Sequence, residues 1–227
     1  MRVRAAVAWV LGAVLVAVVV GVPTAHWRVG YDQSKRLRVV TDGRVYRSGQ
    51  MTADGFREAI RKYSLRTVLN LQSSDDDKSG KVDLADPLLP KTPFGGPRRK
   101  ESEVVADAEA AYVQIDCNTL DRTGPNGYPE ILDKVYEVFD DERNYPILIH
   151  CKAGLHRTGL VTAAYRMEYE GRTRSEALEE LRANGFGEFK ATDANVYIKA
   201  GIHEFSVRKR TDSRPPKPTK PAAEGDR

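Results

Sequence analysis

Cysteine and histidine are scarce in this 227-residue chain, which has two of the first and four of the second. The two cysteines, Cys117 and Cys151, are too few for a disulfide scaffold. No Cys-x2-Cys pair and no Cys/His spacing typical of zinc is present, so the sequence predicts no metal site and no cofactor. His150 and His156 lie close to Cys151 in sequence, but their surroundings fit a different chemistry.

The sequence also lacks a long Lys/Arg helix and any stripe of interleaved aromatic and basic residues. The formal net charge is only +4. Proteins that bind single-stranded nucleic acid use such stripes, so the composition argues against a nucleic-acid partner. The length suffices for one domain with a hydrophobic core and additional segments.

One long hydrophobic run is present, at residues 5–22, after Arg2 and Arg4. Roughly 18–20 apolar residues span a bilayer as a helix, so we predict a single-pass membrane anchor over residues 1–23. A cleaved signal peptide is the alternative, although Pro23 stands where cleavage requires a small side chain. Basic residues flank both ends of the run, which leaves open the side of the membrane on which the remaining chain lies.

The rest of the chain alternates between strand and helix patterns. We interpret 24–40 as a juxtamembrane linker, 41–208 as a single domain and 209–227 as a disordered tail rich in Pro and Lys. Residues 72–101 read as a loop insertion, because they include four prolines and three consecutive aspartates. The predicted fold is α/β, with a central, mostly parallel sheet of about four to five strands flanked by helices and preceded by the transmembrane helix.

Local patterns place the individual elements. Strands are predicted at 44–47, 67–71, 112–116 and 146–150. Helices are predicted at 53–63, 129–140, 157–170, 174–184 and 192–206, with one more around 101–110. Thr52 is expected to cap the first of these, and Thr173 with Glu176 forms a capping box.

The segment with the clearest chemistry covers residues 150–159 and reads HCKAGLHRTG. It follows the apolar strand 146–150 and precedes an amphipathic helix, where loop N–H groups can bind an anion. Gly154 allows the loop to curl tightly, and the Arg157 guanidinium can hold two phosphate oxygens. The helix dipole, the loop N–H groups and Arg157 all favour the thiolate form of Cys151, which a nucleophilic cysteine requires.

The remaining positions of this loop also receive predicted roles. Thr158 is expected to donate its hydroxyl to the sulfur, and His150 to order the loop by hydrogen bonding rather than to act as a base. Lys152 and His156 are either solvated side chains or a basic rim that favours substrates with several phosphates. The predicted phosphate-binding residues are Lys152, Ala153, Gly154, Leu155, His156 and Arg157.

The pattern Cys-x5-Arg-Thr with a preceding histidine resembles the protein tyrosine and dual-specificity phosphatase superfamily. The complete loop and the early segment 45–50, VYRSGQ, are similar to those of the atypical plant and fungal dual-specificity phosphatases and their bacterial relatives. The resemblance covers about 40–206, with the insertion 72–101 as a departure. It implies hydrolysis of phosphotyrosine, phosphoserine or phosphothreonine through a phosphocysteine at Cys151. The plant and fungal enzymes act on phosphoinositides and inositol pyrophosphates, so inositol phosphates are the alternative substrates.

The resemblance also implies a general acid, an aspartate on a loop after the strand that precedes the catalytic strand. Asp116 and Asp121 are the candidates, and Asp121 is favoured because Asp116 could still belong to the strand. Without a working acid the chain would be a membrane-tethered module that binds phosphorylated ligands, which is the second alternative. Cys117 reads as a packing residue, with a regulatory disulfide to Cys151 as the sharper alternative.

Overall fold

The computed structural model describes residues 2–72, 83–85, 98–117, 130–186 and 193–208. It begins with one continuous helix, built from α1 (Arg2–Val16), a π-helical turn (Ala17–Gly21) and α2 (Val22–Ser34). The part from Trp9 to Ser34 is long and apolar enough to cross a membrane, and the hydrophobic window within it is not buried against the rest of the protein. A signal sequence has the same length and composition, so this finding alone does not separate the two predictions.

The described residues after α2 form strands and helices that alternate in part and end in three helices. The strands are β1 (Arg38–Thr41), β2 (Val45–Gly49), β3 (Thr67–Asn70), β4 (Asp83–Ala85), β5 (Arg98–Lys100), β6 (Ala111–Gln114) and β7 (Ile147–Cys151). The helices are α3 (Ala53–Tyr63), α4 (Glu101–Asp107), α5 (Glu130–Asp140), α6 (His156–Tyr169), α7 (Arg174–Ala183) and α8 (Asp193–Glu204), with a 3-10 turn at Glu142–Asn144.

The main sheet has five strands in the order β1-β2-β7-β3-β6. Strand β1 is antiparallel to β2, and the other three neighbouring pairs are parallel. The predicted α/β fold with a sheet of four to five strands flanked by helices is therefore confirmed. Strand β7 lies at the centre, between β2 and β3, so the residues that follow it emerge at the middle of the carboxyl edge of the parallel strands.

Two stretches differ from the predicted elements. Residues 24–40, which we interpreted as a linker, contain most of α2 and the first three residues of β1. The stretch 72–101 is not wholly irregular, because β4 and β5 pair antiparallel within it. Neither strand has the alternating or wholly apolar pattern on which strand prediction depends. The tail 209–227 lies outside the described residues.

The hydrophobic core lies on both faces of the sheet, because successive strand residues point to opposite sides. Ile147, Ile149 and Cys151 of β7 face a large cluster that includes buried residues of α5 to α8. Leu148 faces a smaller cluster formed with α3 and α4. This alternation decides which side of the sheet each residue of the predicted site occupies.

Helix ends were among the most predictable features. The Thr52 side chain accepts a hydrogen bond from the Gly55 N–H at 3.2 Å and begins α3 where expected. Thr173 and Glu176 form the predicted capping box at the start of α7. These short polar side chains satisfy N–H groups that the first helical turn leaves without partners.

Candidate active site

Cys151 is the last residue of the central strand β7 and is only 3% exposed. It is level with Gly49 of the parallel strand β2, and its neighbour His150 is level with Asn70 of β3. The carboxyl ends of parallel strands are where open α/β sheets bind ligands. The sulfur therefore lies where strand, loop and the first turn of α6 meet.

Gly154 turns the loop that follows Cys151. Its φ of +71° lies in the left-handed region, which side chains other than glycine rarely adopt. A Cβ atom at this position would lie 2.6 Å from the Gly49 nitrogen and 2.7 Å from the Ser48 carbonyl oxygen. Both the backbone conformation and the lack of space require glycine, as predicted.

The backbone of this loop is held from the outside by donors on β2 and just beyond it. The Gln50 N–H donates to the Lys152 carbonyl at 3.2 Å, and Arg47 Nη2 donates to the Gly154 carbonyl at 2.9 Å. A trans peptide points its C=O and its N–H in opposite directions. The N–H groups of Ala153 and Leu155, which share those peptides, therefore point away from β2 and are available to an anion.

Arg47 is a buried cation beneath the loop, on the same face of the sheet as Cys151. Burial lowers the pKa of Arg47 to about 10, while the negative charges of Glu180 and of Cys151 in its thiolate form act in the opposite direction. Arg47 stays protonated at neutral pH, because even the lowered pKa lies well above 7. A buried charge is retained only where it is compensated, so Arg47 suits a site that holds negative charge.

Arg157 is the second residue of α6 and is half-buried. Its Nη1 atom donates to the carbonyl of Leu71 at 3.1 Å, directly after the neighbouring strand β3. This bond draws the guanidinium across the carboxyl edge of the sheet instead of letting it extend into solvent. A guanidinium carries five N–H donors in a planar fork, a geometry that can hold two phosphate oxygens.

His150 lies on the opposite face of the sheet from Cys151. Its Nε2 atom is 2.7 Å from Glu101 Oε1, and both side chains are 0% exposed. The ring also packs edge-on against Phe56, at 5.1 Å between ring centroids. The expectation that His150 orders the loop by a direct hydrogen bond therefore needs correction: its bonded partner is Glu101 of α4. Its burial excludes direct contact with a substrate on the other face.

Thr158 and Cys117 are both buried. The Thr158 hydroxyl has no hydrogen-bond partner among the described residues, so the predicted bond to sulfur is not made in this structure and stays a prediction. Cys117 and Cys151 are not joined by a disulfide, and both belong to the same hydrophobic cluster. The packing role expected for Cys117 agrees with this burial.

Only one of the two candidate acids lies within the described residues. Strand β6 ends at Gln114, so half-buried Asp116 follows the strand instead of belonging to it. This removes the reason for preferring Asp121, which lies outside the described residues. Ile115 and Cys117 on either side are buried in the core, and Asp116 is held between them at the same edge of the sheet as Cys151.

The other predicted phosphate-binding side chains point in different directions. Lys152 is exposed and Ala153 half-buried, whereas Leu155 is buried in the interior. The His156 ring packs edge-on against Phe186 at 5.8 Å between centroids. Of the two basic side chains in the loop, Lys152 is therefore the one that is open to solvent.

The family follows from a match over most of the chain. Residues 29–185 match the model of a family described as "Tyrosine phosphatase family". This chain belongs to the tyrosine phosphatase family. The matched range contains the whole sheet and the loop at Cys151.

Individual members of this family resemble parts of the chain. The dual specificity protein phosphatase TpbA of Pseudomonas aeruginosa is 41% identical over 71 residues, and the inositol diphosphatase DSP3 of Arabidopsis thaliana is 40% identical over 70 residues. Each alignment covers 31% of this chain and 33% of the relative, so the chain spans about a third of the length of the curated relatives it matches.

Solved structures show the fold over a longer range. The crystal structure of TpbA superposes with a TM-score of 0.53 at 24% identity and covers 74% of this chain and 86% of its own. The core catalytic domain of the PP-IP phosphatase Siw14 from S. cerevisiae, in complex with citrate, gives a TM-score of 0.52 at 20% identity and covers 76% and 86%. At these identities the comparison shows a shared fold alone.

Three residues of the site were not identified from sequence. Glu101 holds His150, while Arg47 and Arg36 each donate to a loop carbonyl. Arg47 was identified only as part of the segment VYRSGQ, and a charged residue inside a predicted strand was a signal for a buried, compensated charge. Glu101 and Arg36 gave no local signal, because their partners lie 49 and 117 positions away.

Proposed function

We propose that this chain is a phosphatase that hydrolyses phosphate monoesters through a phosphocysteine intermediate at Cys151. One observation carries the proposal: Cys151 ends the central parallel strand, and the carbonyls of the loop after it are held outward by Gln50 and Arg47. The same bonds direct N–H groups toward the space where a phosphate would lie, in front of the N-terminus of α6.

The reaction has two steps. The Cys151 thiolate attacks phosphorus in line, and the P–S bond forms as the P–O bond to the leaving group breaks. An aspartic acid gives its proton to the departing oxygen. Water then attacks the phosphocysteine, the same carboxylate accepts a proton from that water, and the P–S bond breaks to return the thiolate and release inorganic phosphate.

The charge stabilisation comes from the loop and from Arg157. The three equatorial oxygens carry the negative charge of the transferring group, and the loop N–H groups and the guanidinium bind them. The bond from Arg157 to the Leu71 carbonyl holds the guanidinium at the carboxyl edge of the sheet, where the phosphate would lie. Arg47 adds a buried positive charge on the same side of the sheet.

Phosphorylated proteins are the first proposed substrates, and an inositol polyphosphate or pyrophosphate is the second. The exposed Lys152 ammonium, which belongs to the loop itself, favours a ligand with several phosphates. DSP3 is named an inositol diphosphatase and Siw14 a PP-IP phosphatase, whereas TpbA is named a protein phosphatase. The ratio of kcat/KM for a phosphotyrosine peptide to kcat/KM for an inositol pyrophosphate, measured on one preparation, decides between them.

The proposal is tested with two phosphate esters, one with a good leaving group (4-nitrophenyl phosphate) and one with a poor leaving group (an alkyl phosphate). We expect the full chain to hydrolyse both. The Asp116→Asn/Asp121→Asn variant is expected to lose about 10²- to 10⁴-fold in kcat on the alkyl ester, because that oxygen cannot leave without a proton. The loss on the aryl ester is expected to be much smaller. The two single variants then identify the acid.

Asp133→Asn is the matched control, because Asp133 is an exposed carboxylate on α5. It is expected to hydrolyse both esters like the unmodified chain. A chain that binds tungstate, a phosphate analogue, but turns over neither ester would contradict the phosphatase proposal. It would instead favour a binding module.

We also propose that the N-terminal helix anchors the chain in a membrane as a single span. Its apolar side chains between Trp9 and Val29 are exposed, which in water would leave a large hydrophobic surface uncovered. After alkaline carbonate extraction we expect the full chain in the membrane pellet. A Val14→Lys/Val19→Lys variant is expected to be released, because each charge at mid-bilayer costs about 2.5–3.5 kcal/mol. A mature N-terminus near residue 26 would show a cleaved signal peptide instead.

A further inference from the structure

The loop after Cys151 has a third outside donor, and it comes from the N-terminal part of the chain. Arg36 Nη1 donates to the Ala153 carbonyl at 2.9 Å, between the carbonyls held by Gln50 and Arg47. Three consecutive peptides of the loop are therefore fixed. The Arg36 bond orients the middle one, whose N–H belongs to Gly154, the residue at the turn of the loop.

Arg36 lies in the turn between α2 and β1, and that turn is itself packed into the site. Arg36 has a left-handed φ of +54°, which is uncommon for a residue with a side chain and marks a conformation imposed by its surroundings. The Gly49 N–H donates to the Lys35 carbonyl at 2.7 Å. A Cβ atom at Gly49 would lie 3.0 Å from Lys35 Cγ and 3.2 Å from the Ala153 carbonyl carbon, so Gly49 is packed between the two segments.

The last turn of α2 also contacts α3 and the residue that caps it. The Thr52 N–H donates to the Asp32 carbonyl at 3.3 Å, and Gln33 Nε2 donates to Glu58 of α3 at 3.1 Å. A Cβ atom at Gly55 would lie only 1.8 Å from the Gln33 carbonyl oxygen. The end of the N-terminal helix is thus seated on α3 at a place that only glycine permits, and the turn with Arg36 follows directly.

We infer that Arg36 is a positioning residue for phosphoryl transfer. It holds the Ala153 carbonyl outward, and so directs the Gly154 N–H toward the substrate phosphate. Because of this bond, the end of the N-terminal helix is part of the catalytic domain. That domain would begin near residue 31, and not at residue 41 as the sequence predicted. This inference rests on the proposed phosphatase function and adds to it a requirement that lies outside the strand–loop–helix unit.

The test uses the full chain in detergent micelles and compares Arg36→Ala with Arg38→Ala. Arg38 is the matched control: it is an exposed arginine two residues away that donates to Asn184 Oδ1 at 2.6 Å and makes no bond to the loop. We expect Arg36→Ala to lower kcat for 4-nitrophenyl phosphate about ten- to hundredfold, because a slightly misplaced loop loses transition-state contacts. Arg38→Ala is expected to keep the unmodified kcat.

Two further measurements separate positioning from general stability. Arg36→Lys keeps one donor and a positive charge, and is expected to recover most of the kcat lost in Arg36→Ala, even if the alanine variant folds poorly. The melting temperature of the lysine variant should stay within about 2 °C of the unmodified chain. Either of two results overturns the inference. In the first, Arg36→Ala is as active as Arg38→Ala. In the second, Arg36→Lys is as inactive as Arg36→Ala although its melting temperature is unchanged.

Anion binding distinguishes failure of this inference from failure of the proposed function. In a Cys151→Ser background, which needs no turnover, Arg36→Ala is expected to weaken tungstate binding about tenfold. Unchanged tungstate affinity together with unchanged kcat in the Arg36→Ala enzyme would overturn only the role of Arg36. A chain that neither hydrolyses the aryl ester nor binds tungstate would overturn the phosphatase proposal itself.

Discussion

Cys151→Ser is expected to lower kcat for an aryl phosphate by about four orders of magnitude or more, the range seen when a covalent nucleophile is removed. A serine hydroxyl is not ionised at neutral pH, and His150, its neighbour in sequence, cannot act as its general base because it bonds Glu101 on the other face of the sheet. The side chains are similar in size, so the buried site should keep its shape. Tungstate affinity, measured by calorimetry, is expected to stay within a few-fold of the unmodified chain.

Cys117→Ser is the matched control for this variant. Cys117 is the other cysteine, equally buried and in the same cluster. Its replacement puts a hydroxyl into the core at a cost of about 1–3 kcal/mol of unfolding free energy, but should leave kcat unchanged. Turnover retained in Cys151→Ser would refute the covalent mechanism. Turnover lost in Cys117→Ser with the fold intact would point to a role for that sulfur beyond packing.

Arg157→Lys is expected to lower kcat for the same ester by about two to three orders of magnitude, with a smaller change in KM. Lysine keeps the charge but lacks the planar fork, so it cannot hold two equatorial oxygens while also bonding the Leu71 carbonyl. The interaction that is lost belongs mainly to the transition state, where the charge on those oxygens is greatest. Steady-state kinetics with kcat and KM determined separately is the measurement.

Arg172→Lys is the control for the arginine variant. Arg172 is exposed and pairs at 3.3 Å with Glu176, four residues further along the chain, an interaction that contributes little. We expect normal kinetics from it. If Arg157→Lys lowered kcat no more than Arg172→Lys, the guanidinium of Arg157 would have no part in catalysis and the proposed mechanism would be wrong.

The secondary structure of the domain was largely readable from the chain, for local reasons. Helix α3 has the predicted bounds because a threonine cap and an amphipathic repeat lie within a short stretch of the chain. Strand β7 was recognisable because a strand covered on both faces is apolar throughout. Strand β1 was not predicted because it is a short edge strand with exposed positions and lacks an apolar pattern. Its antiparallel pairing with β2 is what makes it a strand.

The site was readable only in part. The loop motif was sufficient to predict roles for Cys151, Gly154 and Arg157, because the strand, the tight loop and the helix N-terminus are contiguous in the chain. The sequence could not show that Glu101 would hold His150, because this contact joins α4 to the central strand across 49 positions. The choice between Asp116 and Asp121 stays a prediction, but the reason given for preferring Asp121 no longer holds, because the strand before them ends at Gln114 and not at residue 116 as predicted.

By itself, the sequence of this tyrosine phosphatase family member determined the α/β fold and predicted a nucleophile and a phosphate-binding loop, because each depends on interactions between residues near one another in the chain. The tertiary structure alone decided which side chains orient that loop. Arg36 and Arg47 reach it from two separate segments, and the Leu71 carbonyl holds Arg157 from a third. Parallel pairing of β2 and β3 with β7 brings two of these segments to the edge of the sheet, and the contact of Lys35 with Gly49 brings the third.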